Sequence, residues 1–130
     1  MPRILVADDD PVQLELRRLV LEAAGHDVHL AYSPKQAVRD LRELGADLVI
    51  LDLRFPNEDG TPDSREGLAL IRGIHEVAGG TPVLVLSGWP ADIEGEPEEK
   101  LVRLVLMKPV KPTALMQIVR ELLGSANPNA

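Results

Sequence analysis

Five short apolar runs alternate with longer amphipathic segments along this chain. Each run is about as long as a β-strand, and three are nearly free of polar residues, which favours strands covered on both faces of a parallel sheet. The run at 28–31 contains His29 and alternates more, so we predict an edge position for it. The five runs are 4–7, 28–31, 48–51, 83–86 and 104–107.

The segments between the runs carry apolar residues at helical spacing. The second predicted helix opens with Ser33-Pro34 and has Gln36 three residues after Ser33, a capping-box pattern with proline at the first helical position. The apolar stripes of the four predicted helices fall at 12–23, 37–44, 70–78 and 115–123, and the glycines at 25, 45, 79 and 124 are their expected ends.

This alternation predicts an α/β fold. Such an order is typical of a doubly wound five-stranded parallel sheet with helices on both faces. One segment before the fifth strand, 89–100, is uncertain because it contains Pro90, Gly95 and Pro97. A proline inside a helix costs about 3 kcal/mol. We therefore predict a loop there with at most a short helix near Pro97, so that the fourth helix is short or irregular.

The composition fits one small domain and excludes several functions. With 130 residues, of which 45% are hydrophobic, the chain is long enough for a single core. Its net charge of −7 argues against binding to nucleic acid or to an anionic membrane. The absence of cysteine excludes disulfides, a thiol nucleophile and cysteine-ligated zinc. No apolar run approaches membrane-spanning length, and the first strand begins at Arg3, which leaves no room for a signal peptide, so we expect a cytoplasmic protein.

Polar residues follow four of the five predicted strands. Because ligands of open parallel sheets bind beyond the carboxyl ends of the strands, we expect these side chains to meet at one rim. Each residue alone has an ordinary structural explanation, such as a helix cap, a turn or a solvated charge. Their combination indicates a site. The residues are Asp8-Asp9-Asp10 after the first strand, Asp52 after the third, Ser87-Gly88 after the fourth and Lys108 after the fifth.

A cluster of carboxylates at this rim requires positive charge. Two carboxylates about 4 Å apart repel by roughly 4 kcal/mol at an effective dielectric constant of 20. Lys108 supplies one counter-charge, and Mg²⁺, which suits carboxylate and water ligands, would supply two more. The chemistry that follows is phosphoryl transfer to a carboxylate, with Asp52 as acceptor and with Asp8 and Asp9 holding the metal. The residues expected to contact the added group are Lys108, Ser87 and Gly88.

The order and spacing of these residues resemble the receiver domain of bacterial two-component response regulators, which has a flavodoxin-like fold. The matching stretches are 4–11, 25–28, 47–53, 82–88 and 108–109. The resemblance implies that a sensor histidine kinase or a phosphotransfer protein donates a phosphoryl group to Asp52. The domain would then switch conformation to control an unknown downstream protein. Such a protein is not an enzyme but a phosphoryl acceptor that assists its own phosphorylation and dephosphorylation.

The same resemblance implies individual roles and domain bounds. Lys108 would pair with the phosphoryl group and precede a cis peptide bond to Pro109, and Ser87 would be the switch hydroxyl. The receiver domain would span 1–124, followed by a flexible tail at 125–130, with no output domain present. The implied ligands of Mg²⁺ are Asp8, Asp9, Asp52 and the backbone carbonyl of Arg54.

Val105 and the segments 61–67 and 89–100 depart from the family's pattern. Val105 stands at the switch position where the family usually has an aromatic residue, so the usual relay from the switch hydroxyl is missing. Arg54 and Trp89 occupy positions that, by resemblance, tune the lifetime of the phosphoryl group, and we predict that the bulky Trp89 hinders attacking water. The segment 61–67 looks inserted before the third helix. It is either a tolerated surface insertion or a segment that partly covers the site or contacts a partner.

Two other functions stay open from the residues alone. A small Mg²⁺-dependent phosphatase of the haloacid-dehalogenase type would use Asp8 and Asp10, but it needs several further acids near the end of the chain, where Glu121 stands alone. A degenerate receiver that serves only as a docking module is favoured by Val105 and by the irregular segment 89–100. The intact acids and lysine argue against it.

Overall fold

The computed structural model describes residues 1–126. This part of the chain contains seven strands and four α-helices. The strands are β1 (Arg3–Ala7), β2 (Asp27–Ala31), β3 (Leu48–Asp52), β4 (Phe55–Pro56), β5 (Pro62–Asp63), β6 (Val83–Ser87) and β7 (Leu104–Met107). The helices are α1 (Pro11–Ala23), α2 (Pro34–Leu44), α3 (Ser64–Ala78) and α4 (Pro112–Ala126). None of these described helices is long and apolar enough to cross a membrane.

Five of the strands form one parallel sheet in the order β2-β1-β3-β6-β7. The predicted doubly wound fold is confirmed, and β2 takes the predicted edge position. The inner strands β1, β3 and β6 are almost wholly buried, as their apolar runs predicted. The other edge strand, β7, is more exposed.

Alternate residues of the strands point to opposite faces of the sheet and form two apolar cores. On one face, Leu5, Val49 and Val85 pack with residues of α2 and α3. On the other face, Ile50 and Leu84 pack with residues of α1 and α4. Because helices cover both faces, a ligand reaches the sheet at the ends of its strands.

The first two helices begin at the capping signals in the sequence. Asp10 Oδ1 accepts the backbone N–H of Val12 at 2.9 Å. Ser33 Oγ accepts the backbone N–H of Gln36 at 3.1 Å, as predicted. The Gln36 side chain in turn accepts the N–H of Tyr32 at 2.9 Å. These bonds satisfy helix-terminal donors and set where α1 and α2 leave the sheet.

The segment 61–67 is not a simple insertion before the third helix. Strand β5 pairs antiparallel with β4 and closes a hairpin. Asp63, at the end of β5, accepts the backbone N–H of Arg65 at 2.9 Å and caps α3. Residues 64–67 are therefore the first turn of α3, and the interpretation as a surface insertion is wrong for them. The apolar stripe at 70–78 predicted a later start for this helix than the Asp63 cap gives it.

The prediction of an irregular fourth helix is confirmed. Two short 3-10 turns, Pro90–Asp92 and Pro97–Leu101, stand in its place. Ile93, between them, is buried in the core beneath α2 and α3. Glu98 accepts a hydrogen bond from Arg72 of α3 at 2.9 Å. These anchors hold the segment against the domain although it has no continuous helix.

Helix α4 continues through Ala126, past the predicted stop at Gly124. Gly124 does not adopt a positive φ, so its backbone does not end the helix. Residues 125 and 126 of the predicted flexible tail at 125–130 are helical. Residues 127–130 lie outside the described part of the chain.

Candidate functional site

The carboxyl ends of β1 and β3 lie side by side where the strand order reverses. The chain leaves β1 toward α1 on one face and leaves β3 toward α3 on the other. Such a reversal opens a crevice at the strand ends, which is where doubly wound sheets bind ligands. Asp8 and Asp9 directly follow β1, and Asp52 ends β3. The topology therefore brings carboxylates from two strands to one crevice.

The three carboxylates form one cluster. Asp8, Asp9 and Asp52 each offer an oxygen, and these three atoms lie within 4.8 Å of one another. Asp8 is only 1% exposed, Asp52 is half-buried, and Asp9 faces solvent. The cluster, hereafter the acid cluster, is thus buried at Asp8 and open at Asp9.

Lys108 reaches the acid cluster from the end of β7. Its Nζ donates a hydrogen bond to Asp52 Oδ2 at 2.9 Å. Both side chains are mostly buried, with exposed fractions of 29% for Lys108 and 14% for Asp52. The peptide bond between Lys108 and Pro109 is cis, as the resemblance implied. The amine neutralises Asp52 and is placed to contact a group added to that carboxylate.

A second cation, Arg17 of α1, pairs with the buried acid and was not expected from the sequence. Arg17 Nη1 donates to Asp8 Oδ2 at 2.8 Å, and both side chains are buried. The other oxygen of Asp8 accepts the backbone N–H of Asp10 at 3.1 Å. A signal was present, because Arg17 lies between Leu14 and Leu21 on the buried stripe of α1. A charged side chain on such a stripe requires a partner.

The pKa of Asp9 is raised above its ordinary value by its surroundings in the acid cluster. Desolvation by the surrounding protein raises this pKa, and the hydrogen bond and negative charge of Asp8 and the charge of Asp52 raise it further. A raised pKa means that the ionised form of Asp9 is disfavoured, and a cation bound beside it would favour that form. A positive charge in addition to Lys108 and Arg17 would therefore stabilise the ionised acid cluster.

Ser87 and Gly88 leave β6 beside β3. Ser87 is buried, and its Oγ accepts the backbone N–H of Trp89 at 3.0 Å. Gly88 is exposed, and a Cβ added there would meet no atom within 4 Å. Val105, on the neighbouring strand β7, packs against the core beneath α2 and α3. Its short side chain provides no aromatic ring that could follow a movement of the Ser87 hydroxyl.

Arg54 and Trp89 contact each other and share a third partner, Asp92. Nε and Nη2 of Arg54 donate to the two carboxylate oxygens of Asp92 at 2.8 and 3.3 Å. The guanidinium stacks on Trp89, 3.6 Å from the centre of the ring. The Asp92 hydrogen bond raises the pKa of Arg54, and the charge of Asp52 adds to this. The positive charge of Arg54 therefore interacts with the negative charge of Asp52 in the acid cluster.

The donor set of the acid cluster suits Mg²⁺. Carboxylate oxygens are the hard ligands that this ion takes, usually together with several waters. Three carboxylates face the two cations Lys108 and Arg17, which leaves one negative charge in excess. A phosphoryl group would add more negative charge. The residues present therefore fit a divalent cation held by Asp8, Asp9 and Asp52.

Asp10 does not belong to the acid cluster. Its Oδ1 accepts the backbone N–H groups of Val12 and Gln13 and caps α1. A phosphatase of the haloacid-dehalogenase type would need Asp10 to act as an acid beside a nucleophilic Asp8. Because Asp10 caps a helix and Asp8 is bonded to Arg17, this arrangement does not favour that alternative.

The fold and the site together define a doubly wound signalling domain with an acid cluster and a lysine at the carboxyl rim of its sheet. The chain matches the response regulator receiver domain family over residues 4–120. The chain belongs to this family. It is a receiver domain of a response regulator, the phosphoryl-accepting module of two-component systems.

Several curated relatives are transcriptional regulators. The chain is 42% identical to the transcriptional regulatory protein AruR of Pseudomonas aeruginosa over 85 residues, which covers 56% of this chain and 35% of AruR. It is 33% identical to GlrR of Escherichia coli over 127 residues, with coverages of 96% and 27%. It is 33% identical to the DNA-binding response regulator MtrA of Mycolicibacterium smegmatis over 119 residues, with coverages of 91% and 49%. The matched region thus spans half or less of each relative.

Solved structures share the fold. A response regulator receiver domain protein from Clostridium thermocellum superposes with a TM-score of 0.84 at 22% identity, covering 100% of both chains. The response regulator TrrA from Thermotoga maritima, solved with Mg²⁺ and BeF, superposes with a TM-score of 0.80 at 24% identity, covering 94% of this chain and 99% of TrrA. At these identities the likeness establishes the fold alone.

Proposed function

We propose that Asp52 accepts the phosphoryl group, and that Asp8, Asp9, Asp52 and the backbone carbonyl of Arg54 hold Mg²⁺. One observation carries this proposal. Lys108 Nζ lies 2.9 Å from Asp52 Oδ2, although the two residues are 56 positions apart in the chain. This bond places a cation against the carboxylate that ends the central strand, beside two further carboxylates. The closeness of Lys108 and the three carboxylates supports these proposed roles.

In the proposed reaction, a carboxylate oxygen of Asp52 attacks the phosphorus of a phosphohistidine. The new P–O bond forms as the P–N bond breaks, and the leaving imidazole keeps the electron pair and takes a proton. Lys108 donates to one oxygen of the transferred group, and the Ser87 hydroxyl donates to another. Bound Mg²⁺ would neutralise charge that develops on the phosphoryl oxygens. The domain thus assists the transfer and, with water in place of Asp52 as the attacking group, the later hydrolysis.

Ser87 is the proposed switch residue, and its present contact supports this role. Its Oγ accepts the N–H of Trp89, so a rotation toward Asp52 would release the start of the segment 89–101. We propose that this segment carries the signal in place of an aromatic side chain at Val105. With a net charge of −7, the receiver would act on a downstream protein and not by binding nucleic acid itself.

The test is to offer the chain acetyl phosphate in the presence of MgCl2 or of EDTA. We expect intact mass spectrometry to show one added phosphoryl group with MgCl2 and none with EDTA. The fluorescence of Trp89, the single tryptophan, is expected to change with the same time course. Uptake that is equal in EDTA would contradict the role of the metal. A chain that takes up no phosphoryl group under either condition would favour the docking-only receiver.

We propose that the donor, a sensor histidine kinase or a phosphotransfer protein, docks on α1. This helix begins immediately after the acid cluster and exposes Val12, Leu16 and Leu19 to 64%, 52% and 58%. A groove of about 640 Å³ between α1 and the start of α4 adjoins this face, and Lys108 is among its lining residues. Exposed apolar side chains beside a site suit a transient protein contact.

A Leu16→Glu variant is expected to accept phosphoryl groups from a phosphotransfer protein about tenfold more slowly, because a charge in an apolar contact costs at least 1 to 2 kcal/mol. Phosphorylation by acetyl phosphate is expected to stay as in the wild type. Both rates are measured by radiolabel transfer. Leu44→Glu, an equally exposed leucine on α2 at 48%, is the control. Equal losses in the two variants would contradict docking on α1.

A Trp89→Ala variant is expected to lose its phosphoryl group faster than the wild type. The alanine removes the ring that stacks on Arg54, an interaction worth about 0.5–1 kcal/mol, and opens a path for water. We expect hydrolysis to accelerate roughly two- to fivefold, as followed by mass spectrometry after removal of the donor. Trp89→Phe keeps a ring and is expected to lie between the two. An unchanged lifetime in Trp89→Ala would refute the shielding role.

A further inference from the structure

We propose that Arg17 is an internal counter-ion of Asp8 that sets how strongly the acid cluster binds Mg²⁺. The inference rests on the proposed magnesium site and assigns a positioning role to a residue outside it. Arg17 Nη1 donates to Asp8 Oδ2 at 2.8 Å. The exposed fractions of the two side chains are 9% for Arg17 and 2% for Asp8. The pair is therefore a buried contact that solvent screens little.

Arg17 fixes both the charge and the orientation of Asp8. One carboxylate oxygen is bonded to Arg17 and the other accepts the N–H of Asp10 at 3.1 Å. A buried carboxylate without a cation is strongly destabilising. Because Arg17 belongs to the chain, the domain has a counter-charge at Asp8 when no metal is bound. The folded state is therefore expected to persist when Mg²⁺ is removed.

The same contact has a cost for metal binding. A guanidinium and Mg²⁺ near one carboxylate repel each other, and Asp8 has fewer free lone pairs for the metal. Arg17 therefore lowers the affinity for Mg²⁺ relative to a site in which Asp8 has no protein cation. Arg18, the next residue, does not contact the acid cluster. Its side chain is 39% exposed and pairs with Glu15 and Glu22 on the surface of α1.

The test compares Arg17→Met, Arg17→Lys and Arg18→Met with the wild type. Mg²⁺ is titrated into each protein, and binding is followed by Trp89 fluorescence and by calorimetry. We expect Arg17→Met to bind Mg²⁺ roughly tenfold or more tightly, because a nearby positive charge is removed. Arg17→Lys keeps the charge, and Arg18→Met removes an exposed one, so both are expected to stay within about twofold of the wild type.

Thermal unfolding supplies a second measurement. The melting temperature of Arg17→Met is expected to fall in EDTA and to rise more on addition of saturating MgCl2 than that of the wild type, because tenfold tighter binding adds about 1.4 kcal/mol of stabilisation. If Arg17→Met is unfolded in EDTA, folding on addition of MgCl2 supports the proposal. Weaker or unchanged Mg²⁺ affinity in Arg17→Met, or a rise in melting temperature on addition of MgCl2 that is no larger than that of the wild type, would overturn it. A wild-type protein that binds no Mg²⁺ would instead contradict the proposed function itself.

Discussion

An Asp52→Asn variant is expected to take up no phosphoryl group from acetyl phosphate or from a phosphotransfer protein. The amide is nearly the same size as the carboxylate and can still accept a hydrogen bond from Lys108, which now lies 2.9 Å from Asp52, so the fold is expected to persist. The amide is not an effective nucleophile toward phosphorus, and it removes one negative charge from the acid cluster. We expect a complete loss of the mass gain in MgCl2.

The control for this variant is Asp59→Asn. Asp59 is an exposed acid in the turn between β4 and β5, outside the acid cluster. It is expected to accept phosphoryl groups at the wild-type rate. Continued modification of Asp52→Asn would mean that another residue is the acceptor, and loss of modification in Asp59→Asn would mean that acidic charge in general controls the reaction.

A Gly67→Ala variant is expected to be less stable than the wild type by about 1–3 kcal/mol or more. Gly67 lies in the first turn of α3 and is buried. A Cβ at this position would overlap the carbonyl oxygen of Leu53, a backbone atom that cannot rotate away. Overpacking of this kind costs about 1–3 kcal/mol and sometimes more. Because Leu53 directly follows Asp52, we also expect the variant that still folds to accept phosphoryl groups more slowly.

Gly124→Ala is the matched control for this substitution. Gly124 lies in α4, and a Cβ added there would meet no atom within 4 Å. Alanine is favoured over glycine in a helix by about 1 kcal/mol, so this variant is expected to be as stable as the wild type or slightly more stable. Urea unfolding measures both variants. Similar free energies of unfolding for Gly67→Ala and Gly124→Ala would show that α3 does not depend on its close approach to Leu53.

Much of the fold could be predicted because each element carries its own signal. The apolar runs marked the strands of the sheet, and His29 in the second run marked the edge position that β2 occupies. The meeting of Asp8, Asp9, Asp52 and Lys108 followed from one rule, that the carboxyl ends of parallel strands share a rim. The two prolines in 89–100 correctly predicted the absence of a regular fourth helix.

The features that were missed depend on contacts in the folded chain. The Arg17–Asp8 pair requires the rotational position of α1 on the sheet, and the Arg54–Asp92 pair joins residues 38 positions apart. The start of α3 depends on a hairpin that places the Asp63 cap. None of these contacts produces a helical periodicity or an apolar run in the sequence. Two local signals could have been used, namely a charged residue on a buried helical stripe at Arg17 and a capping aspartate at Asp63.

The most direct measurement is a crystal structure of the chain with Mg²⁺ and beryllofluoride, a stable mimic of a phosphoryl group. We predict beryllofluoride on Asp52, Mg²⁺ contacting the acid cluster and the backbone carbonyl of Arg54, and Lys108 Nζ within hydrogen-bonding distance of a fluorine atom. Mg²⁺ bound away from Asp8 and Asp9, an adduct on another residue, or Lys108 turned away from the adduct would contradict the proposed site.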